Sequence, residues 1–257
     1  MDLRAWIARL HKILTTAGLI IASLSTGMLS AKPTINLVSD PWPQYLDANG
    51  GYFINLSKKV FEPYGYFISY ENVPFPRALL LVKSGNNYIA PALYNDPRPG
   101  ILYAKNFTAA DVAAVIVNTS RIHWTNKISG LSHKKIAWIR GFNYDQVLNK
   151  SGPAIAITQY EVNSRESGLA MLKQGRIDAY MDNGDGLQAY AHAQGLFAPS
   201  FEIHEVFRKG LYFGFANTRE GRKLKTIFDN EIDKLIANHH LDKIYRDAVK
   251  NGPELTH

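Results

Sequence analysis

What most constrains this chain is an alternation. From Thr34 onward, short β-rich runs are followed by stretches with a helical period, and the series occurs twice. TINLVS (34–39) reads as a strand. YFINLSKKVFEPYG (52–65) reads as a helix, with Ile54, Val60 and Phe61 near one face and Pro63 and Gly65 to stop it. YFISYENV (66–73) is the next strand. PRALLLVKSG (76–85) is a short helix with Pro at its start and Gly at its end. NYIAPAL (87–93) and DVAAVIVNTS (111–120) are strands. The second series holds strands at KKIAWI (134–139), AIAITQ (154–159) and RIDAYM (176–181). Helices fall at NYDQVLNK (143–150), at NSRESGLAMLKQG (163–175) and at DGLQAYAHAQG (185–195). In the middle one, Asn163 is the expected N-cap with Glu166 three residues later, close to a capping box. GLYFGFAN (210–217) is a last strand. In the C-terminal helix Leu224, Ile227, Phe228, Ile232, Leu235 and Ile236 recur at threes and fours, and a second helix starts near His240. Such alternation predicts an α/β protein with largely parallel sheets, in two lobes. Return of the C-terminal helices to the first lobe is expected, though periodicity does not require it.

The 257 residues suffice for one large domain or two small ones. The net charge of +7 raises the question of an anionic partner. The basic residues are spread out, and clusters such as SHKKI and GRKLK are short, so no nucleic-acid partner is expected. Arg4, Arg9 and Lys12 belong to MDLRAWIARLHK, which precedes the small, apolar ILTTAGLIIASLSTGMLSA. That pairing has the form of a secretory signal peptide over 1–31, with cleavage near Ala31. Its uninterrupted apolar run is shorter than the roughly 20 residues a spanning helix needs. The chain has no cysteine, hence no thiol for a lipid anchor and no disulfide. A free periplasmic protein is the expectation.

The stretch RIDAYMDNGDG (176–186) gathers three acids. Asp182 falls at the C-terminal end of a strand, the edge where open α/β sheets bind ligands. Asp178 lies further back and reads as structural. Asp185 begins the next helix, where an acid caps the end and complements the dipole. A calcium loop fails on spacing. Counted from Asp182, Gly184, Gly186 and Ala193 stand where oxygen ligands are required. Catalytic signatures are absent: there is no G-x-S-x-G, no cysteine nucleophile and no Walker loop. His204–Glu205 lacks the second histidine of a zinc helix, since Arg208 stands there. No metal and no cofactor is expected. A capped turn and one arm of a ligand clamp both remain open for Asp182.

Taken in order, seven segments form a larger pattern: INLVSDPWPQY (35–45), GGYFINLSKKVFEPYGY (50–66), VPFPRALLLVKSG (73–85), PALYNDPRPGILYAKNFT (91–108), LSHKKIAWIRGFNYD (131–145), GLAMLKQGRIDAYMDN (168–183) and the C-terminal 209–247. The set resembles the bacterial extracellular solute-binding proteins of family 3, the amino-acid-binding branch of the type II periplasmic fold. The likeness covers essentially the whole chain after the leader. It rests on the ordered set, not on one sharp motif. It implies lobe 1 at 32–117 plus 207–257 and lobe 2 at 118–206. Each lobe would be a mostly parallel sheet flanked by helices, the two would be joined by two hinge strands, and the ligand would lie between them. By the resemblance, Arg98 in NDPRPG pairs a ligand carboxylate and Asp182 takes an ammonium. Trp42 and Tyr45 stack on the ligand, and the RGFNYD turn, with Phe142, Asn143 and Tyr144, offers backbone N–H groups.

The chemistry suits those residues. A guanidinium fork matches a carboxylate, and an ionised Asp only accepts. The chain also departs from the family. Tyr94 and Asn95 replace the usual hydroxyl residue before the arginine, and Pro97 and Pro99 flank Arg98. Arg77 and Arg140 are two further candidate cations, which would suit a ligand with more than one anionic group. Alternatively, Arg77 covers its own helix and Arg140 pairs with Asp145. The implied function is capture of an amino acid or related small carboxylate by a monomer, for an ABC transporter permease. The alternatives are a receptor domain of the same fold that signals to a membrane partner, or an enzyme like the cyclohexadienyl dehydratases. Alanine at Asp182 or Arg98 is expected to weaken binding and spare the fold.

Overall fold

Parallel strands need crossovers, and the helices that separate the strands in sequence supply them. The computed structural model describes residues 32–47, 50–150, 155–249 and 255. The expected leader at 1–31 lies outside them. In the first series β1 (Thr34–Ser39) pairs in parallel with β2 (Phe67–Asn72) on one side and β3 (Tyr88–Leu93) on the other. The crossovers are α1 (Tyr52–Phe61) and α2 (Phe75–Ser84). α1 buries Phe53, Leu56 and Val60 and runs into a 3₁₀ turn at Glu62–Tyr64. Gly65 then turns the chain at φ 83°, a conformation that favours glycine.

The second series repeats the plan. β6 (Lys135–Ile139) pairs in parallel with β7 (Thr158–Val162) and β8 (Ala179–Asn183). α3 (Tyr144–Lys150) and α4 (Arg165–Lys173) cross over, and α5 (Gly184–Ala193) follows β8. Two long antiparallel strands tie the series together. β5 (Ala109–Asn118) pairs with β8 and with β9 (Phe201–Ala216), and the far end of β9 pairs with β3 and the short β4 (Ile101–Tyr103). The strand order is β2-β1-β3-β9-β5-β8-β6-β7.

The C-terminal α6 (Arg219–Ala237) and α7 (His240–Ala248) do return to the first series. Phe228 of α6 packs its ring 4.3 Å from that of Phe213 and against Phe61, all fully buried. Each such side chain contributes about 1.5–3 kcal/mol of burial. Among the described residues no helix is long and apolar enough to cross a membrane.

Four local expectations are corrected. The strand expected at 154–159 lies at Thr158–Val162. Ile155 and Ile157 pack on the core as irregular chain, while TQYEV, exposed up to the buried Val162, makes the edge pairing. α4 is capped by Ser164, whose hydroxyl accepts from the Ser167 N–H at 3.2 Å, not by Asn163. Asn183, not Asp185, caps α5, leaving Asp185 in the first turn. Finally, β9 begins at Phe201, not Gly210. Its first half carries charged, partly exposed side chains that resemble a loop in sequence.

Candidate functional site

The carboxyl ends of the parallel strands from both series converge on one cavity, partly open to solvent. Ser39 and Asp40 reach it from the end of β1, Tyr94 from the end of β3 and Asn183 from the end of β8. Phe142 reaches it from the turn after β6. This is the position at which open α/β sheets place ligands. Its walls are aromatic. Phe75 meets Phe142 edge-on with centroids 5.1 Å apart, and Tyr144 packs on Phe142 at 5.6 Å.

Of the candidate residues, Trp42, Tyr94, Arg98, Phe142 and Tyr144 line the cavity. Arg98 lies over the Phe75 ring at 5.9 Å, and its Nη2 donates to the Gly141 carbonyl at 3.3 Å. The Arg98 Nε is buried without a protein partner. Tyr45 is one layer back. It stacks on Trp42 at 3.7 Å, donates to Asp185 at 3.0 Å and shares a hydrogen bond with Tyr245 at 2.8 Å. Asn143 sits in the turn at φ 56° and does not line the cavity. The neighbouring N–H groups of Arg140, Gly141 and Phe142 donate to Val162, Glu161 and Ile139.

The other two candidate arginines do not line the cavity. Arg77 is exposed on α2. Arg140 is 56% exposed and pairs with Glu161 at 3.5 Å, not with Asp145. Asp182 is buried beside the cavity and engaged by a residue that the strand and motif pattern did not single out. Arg165, the first residue of α4, donates from Nε to Asp182 at 2.9 Å and from Nη1 to Asp40 at 2.8 Å. Burial pushes Asp182 above the usual carboxylate range, against the pull of Arg165. Burial also opposes the charge on Arg165, but Asp182 and Asp40 outweigh it and hold the guanidinium protonated. With its partner buried, Asp182→Ala is expected to weaken the fold and not to spare it.

Asp111 was likewise missed. It is the one charge in the apolar run of β5, fully buried, and it lines the cavity. Its carboxylate accepts from the Tyr94 hydroxyl and from Asn183 Nδ2 at 2.6 Å. Burial raises its pKa to about 6, and those two hydrogen bonds hold it from rising further. Both omissions left a trace in the sequence. A lone acid among Ala and Val residues is costly to bury, and an arginine in the first turn of a helix opposes the dipole unless acids surround it. Among the described residues, no three His, Asp or Glu side chains converge as a metal site.

No protein-family model and no curated protein matches the sequence. Solved structures do match in shape. One is the substrate-binding protein of an amino acid ABC transporter, 14% identical, covering 85% of this chain and 100% of that one with a TM-score of 0.66. Another is the amino acid ABC transporter substrate-binding protein AbpA from Streptococcus pneumoniae bound to L-arginine, 17% identical over 86% and 96% of the two chains, TM-score 0.62. A third is a histidine kinase sensor domain similar to periplasmic binding proteins, 14% identical over 88% and 99%, TM-score 0.69. The fold is that of the type II periplasmic binding proteins. β5 and β9 are the two long strands that link the first series to the second. Polar contacts that cross from the first series to the second around the cavity include Arg98 to Gly141, Asp40 to Arg165, and Tyr45 to Asp185.

Proposed function

We propose that the protein is a solute-binding protein that captures a small carboxylate, an amino acid or a related acid. In this reading lobe 1 is 32–117 with 207–257, lobe 2 is 118–206, and the ligand lies between them. It works outside the cytoplasm and delivers its cargo to an ABC transporter. The observation that carries the proposal is Arg98, a guanidinium held over an aromatic ring in a cavity at the strand ends, with Nε buried and unpartnered. A buried donor without a partner costs about 1–3 kcal/mol, which a ligand oxygen would recover. The fork geometry of arginine favours a carboxylate as that oxygen. A ligand that touches both lobes stabilises the closed form over the open one.

The test is a thermal-shift screen against a library of amino acids and small carboxylates. A ligand at 100 times its Kd adds about 2.7 kcal/mol, a shift of several degrees at this size. Arg98→Ala is expected to abolish the shift while keeping the melting temperature of the unliganded protein. A hit that survives Arg98→Ala refutes the assignment. The similarity to a histidine kinase sensor domain supports a second reading, in which the closed form is presented to a membrane receptor. Crosslinking of the liganded protein in its native membrane separates the two partners.

A further inference from the structure

On the reading that the cavity holds a carboxylate, its other polar groups decide what else the ligand carries. An ammonium leaving water needs a carboxylate with unoccupied lone pairs. Asp182 offers none. Its Oδ2 accepts from Arg165 Nε and from the Tyr180 hydroxyl, both at 2.9 Å. Its Oδ1 accepts from the Asn183 N–H at 2.8 Å and from Arg165 Nη2 at 3.4 Å. Those four donors fill the acceptor capacity of a carboxylate. Asp40 is engaged by the same guanidinium at 2.8 Å and by the Ser39 hydroxyl at 3.5 Å. Asp111 has one donor on each oxygen, from the Tyr94 hydroxyl and Asn183 Nδ2, and is the acid the titrations below must test as a rival ammonium partner.

The cation side keeps spare donors. Arg165 lines the cavity and uses its Nε, one Nη1 and one Nη2 hydrogen, so two of its five N–H groups remain. Arg98 retains its orphan Nε. The pocket therefore presents spare donors from two guanidinium groups, and its walls are aromatic.

We propose that the cavity takes a flat, apolar-bodied carboxylate with no ammonium group, and that Arg165, pinned between Asp40 and Asp182, occupies the place an ammonium would need. Such a ligand is an aryl-substituted carboxylic or 2-oxo acid. Its carboxylate sits on Arg98, its second oxygen faces Arg165, and its ring lies among Trp42, Phe75 and Phe142.

The test is calorimetric titration of the protein with matched sets that differ only at C2: 3-phenylpropionate, phenylpyruvate and L-phenylalanine, and the corresponding leucine and indole sets. The deaminated acids should bind at least tenfold more tightly than the amino acids. Arg165→Ala frees Asp182 and should reduce that ratio tenfold or invert it, whereas Arg165→Lys, which keeps a cation in the pair, should preserve the preference. If Arg165→Ala fails to fold, the wild-type ratio and the Lys variant decide. Tighter binding of the amino acids, lost in Arg98→Ala, overturns this inference and leaves the solute-binding reading intact. If Asp111→Asn also abolishes it, the ammonium sits on Asp111. Failure of every member to bind at millimolar concentration overturns this inference and counts against the carboxylate reading itself.

Discussion

Burying Asp111 makes the stability of this protein depend on pH in a direction opposite to ordinary salt-bridged acids. The carboxyl moves from its usual 3.8 to about 6 on folding, because burial disfavours its charge more than Tyr94 and Asn183 stabilise it. Between those values the native state holds more protons than the unfolded chain. The contribution is therefore fully present below about pH 3.8 and is lost as pH rises through about 6. At about 1.36 kcal/mol per pKa unit, the loss is roughly 3 kcal/mol. Asp111→Asn keeps the shape and cannot ionise. Its Oδ1 can accept from Asn183, and its Nδ2 can donate to the Tyr94 oxygen. The assay is urea unfolding followed by tryptophan fluorescence, for wild type and variant, from about pH 4 to pH 7.5. Asp182 and Asp185, also raised by burial, remain in both proteins and largely cancel in the difference. The variant should gain roughly 2.4 kcal/mol on wild type across that range. Parallel profiles would refute the reasoning, since they would mean that Asp111 titrates alike in the folded and unfolded chains.

Two further substitutions probe the scaffold behind the cavity. Asp182→Ala strands the buried Arg165 guanidinium on one acid and should destabilise by about 3–5 kcal/mol in urea unfolding. Gly168→Ala would place a Cβ 2.2 Å from the ring of Tyr180, which is fully buried and tied by its hydroxyl to Asp182. That ring must shift, at a cost of about 1–3 kcal/mol visible as a lower melting temperature; an unchanged melt would refute the close approach.

The elements that sequence reading located best are those with a strong period and a Gly or Pro at the end. α2 runs from Phe75 to Ser84 with Pro76 inside its start and Gly85 beyond its end, one residue from the expected bounds. The first half of β9 was unreadable for the opposite reason. A strand that leaves its side chains partly exposed keeps charges such as Glu202, Glu205 and Arg208, and nothing in its composition separates it from a loop. Position along the chain was more legible than partnership. That Asp182 ends a strand follows from the period change at Gly175. That its oxygens are filled by Arg165 depends on how the N-terminus of α4 packs beside β8, and no periodicity carries that.

Two of the residues that sequence reading overlooked at the cavity, Arg165 and Asp111, violate a local rule. Arg165 puts a cation where a helix dipole disfavours one. Asp111 puts an acid in the middle of an otherwise apolar buried strand. Neither choice helps its own element: a Glu at 165 would suit the helix, and a Val at 111 would suit the strand. Each makes sense only through partners from other elements, Asp40 and Asp182 for the first, Tyr94 and Asn183 for the second. Local and global preferences agree along most of a natural chain and part company where a site requires it. On that argument, the misplaced charge is a better pointer to the cavity than the acidic run at 176–186. In that run Asp178 pairs with Arg121 away from the cavity and Asp185 satisfies the hydroxyl of Tyr45.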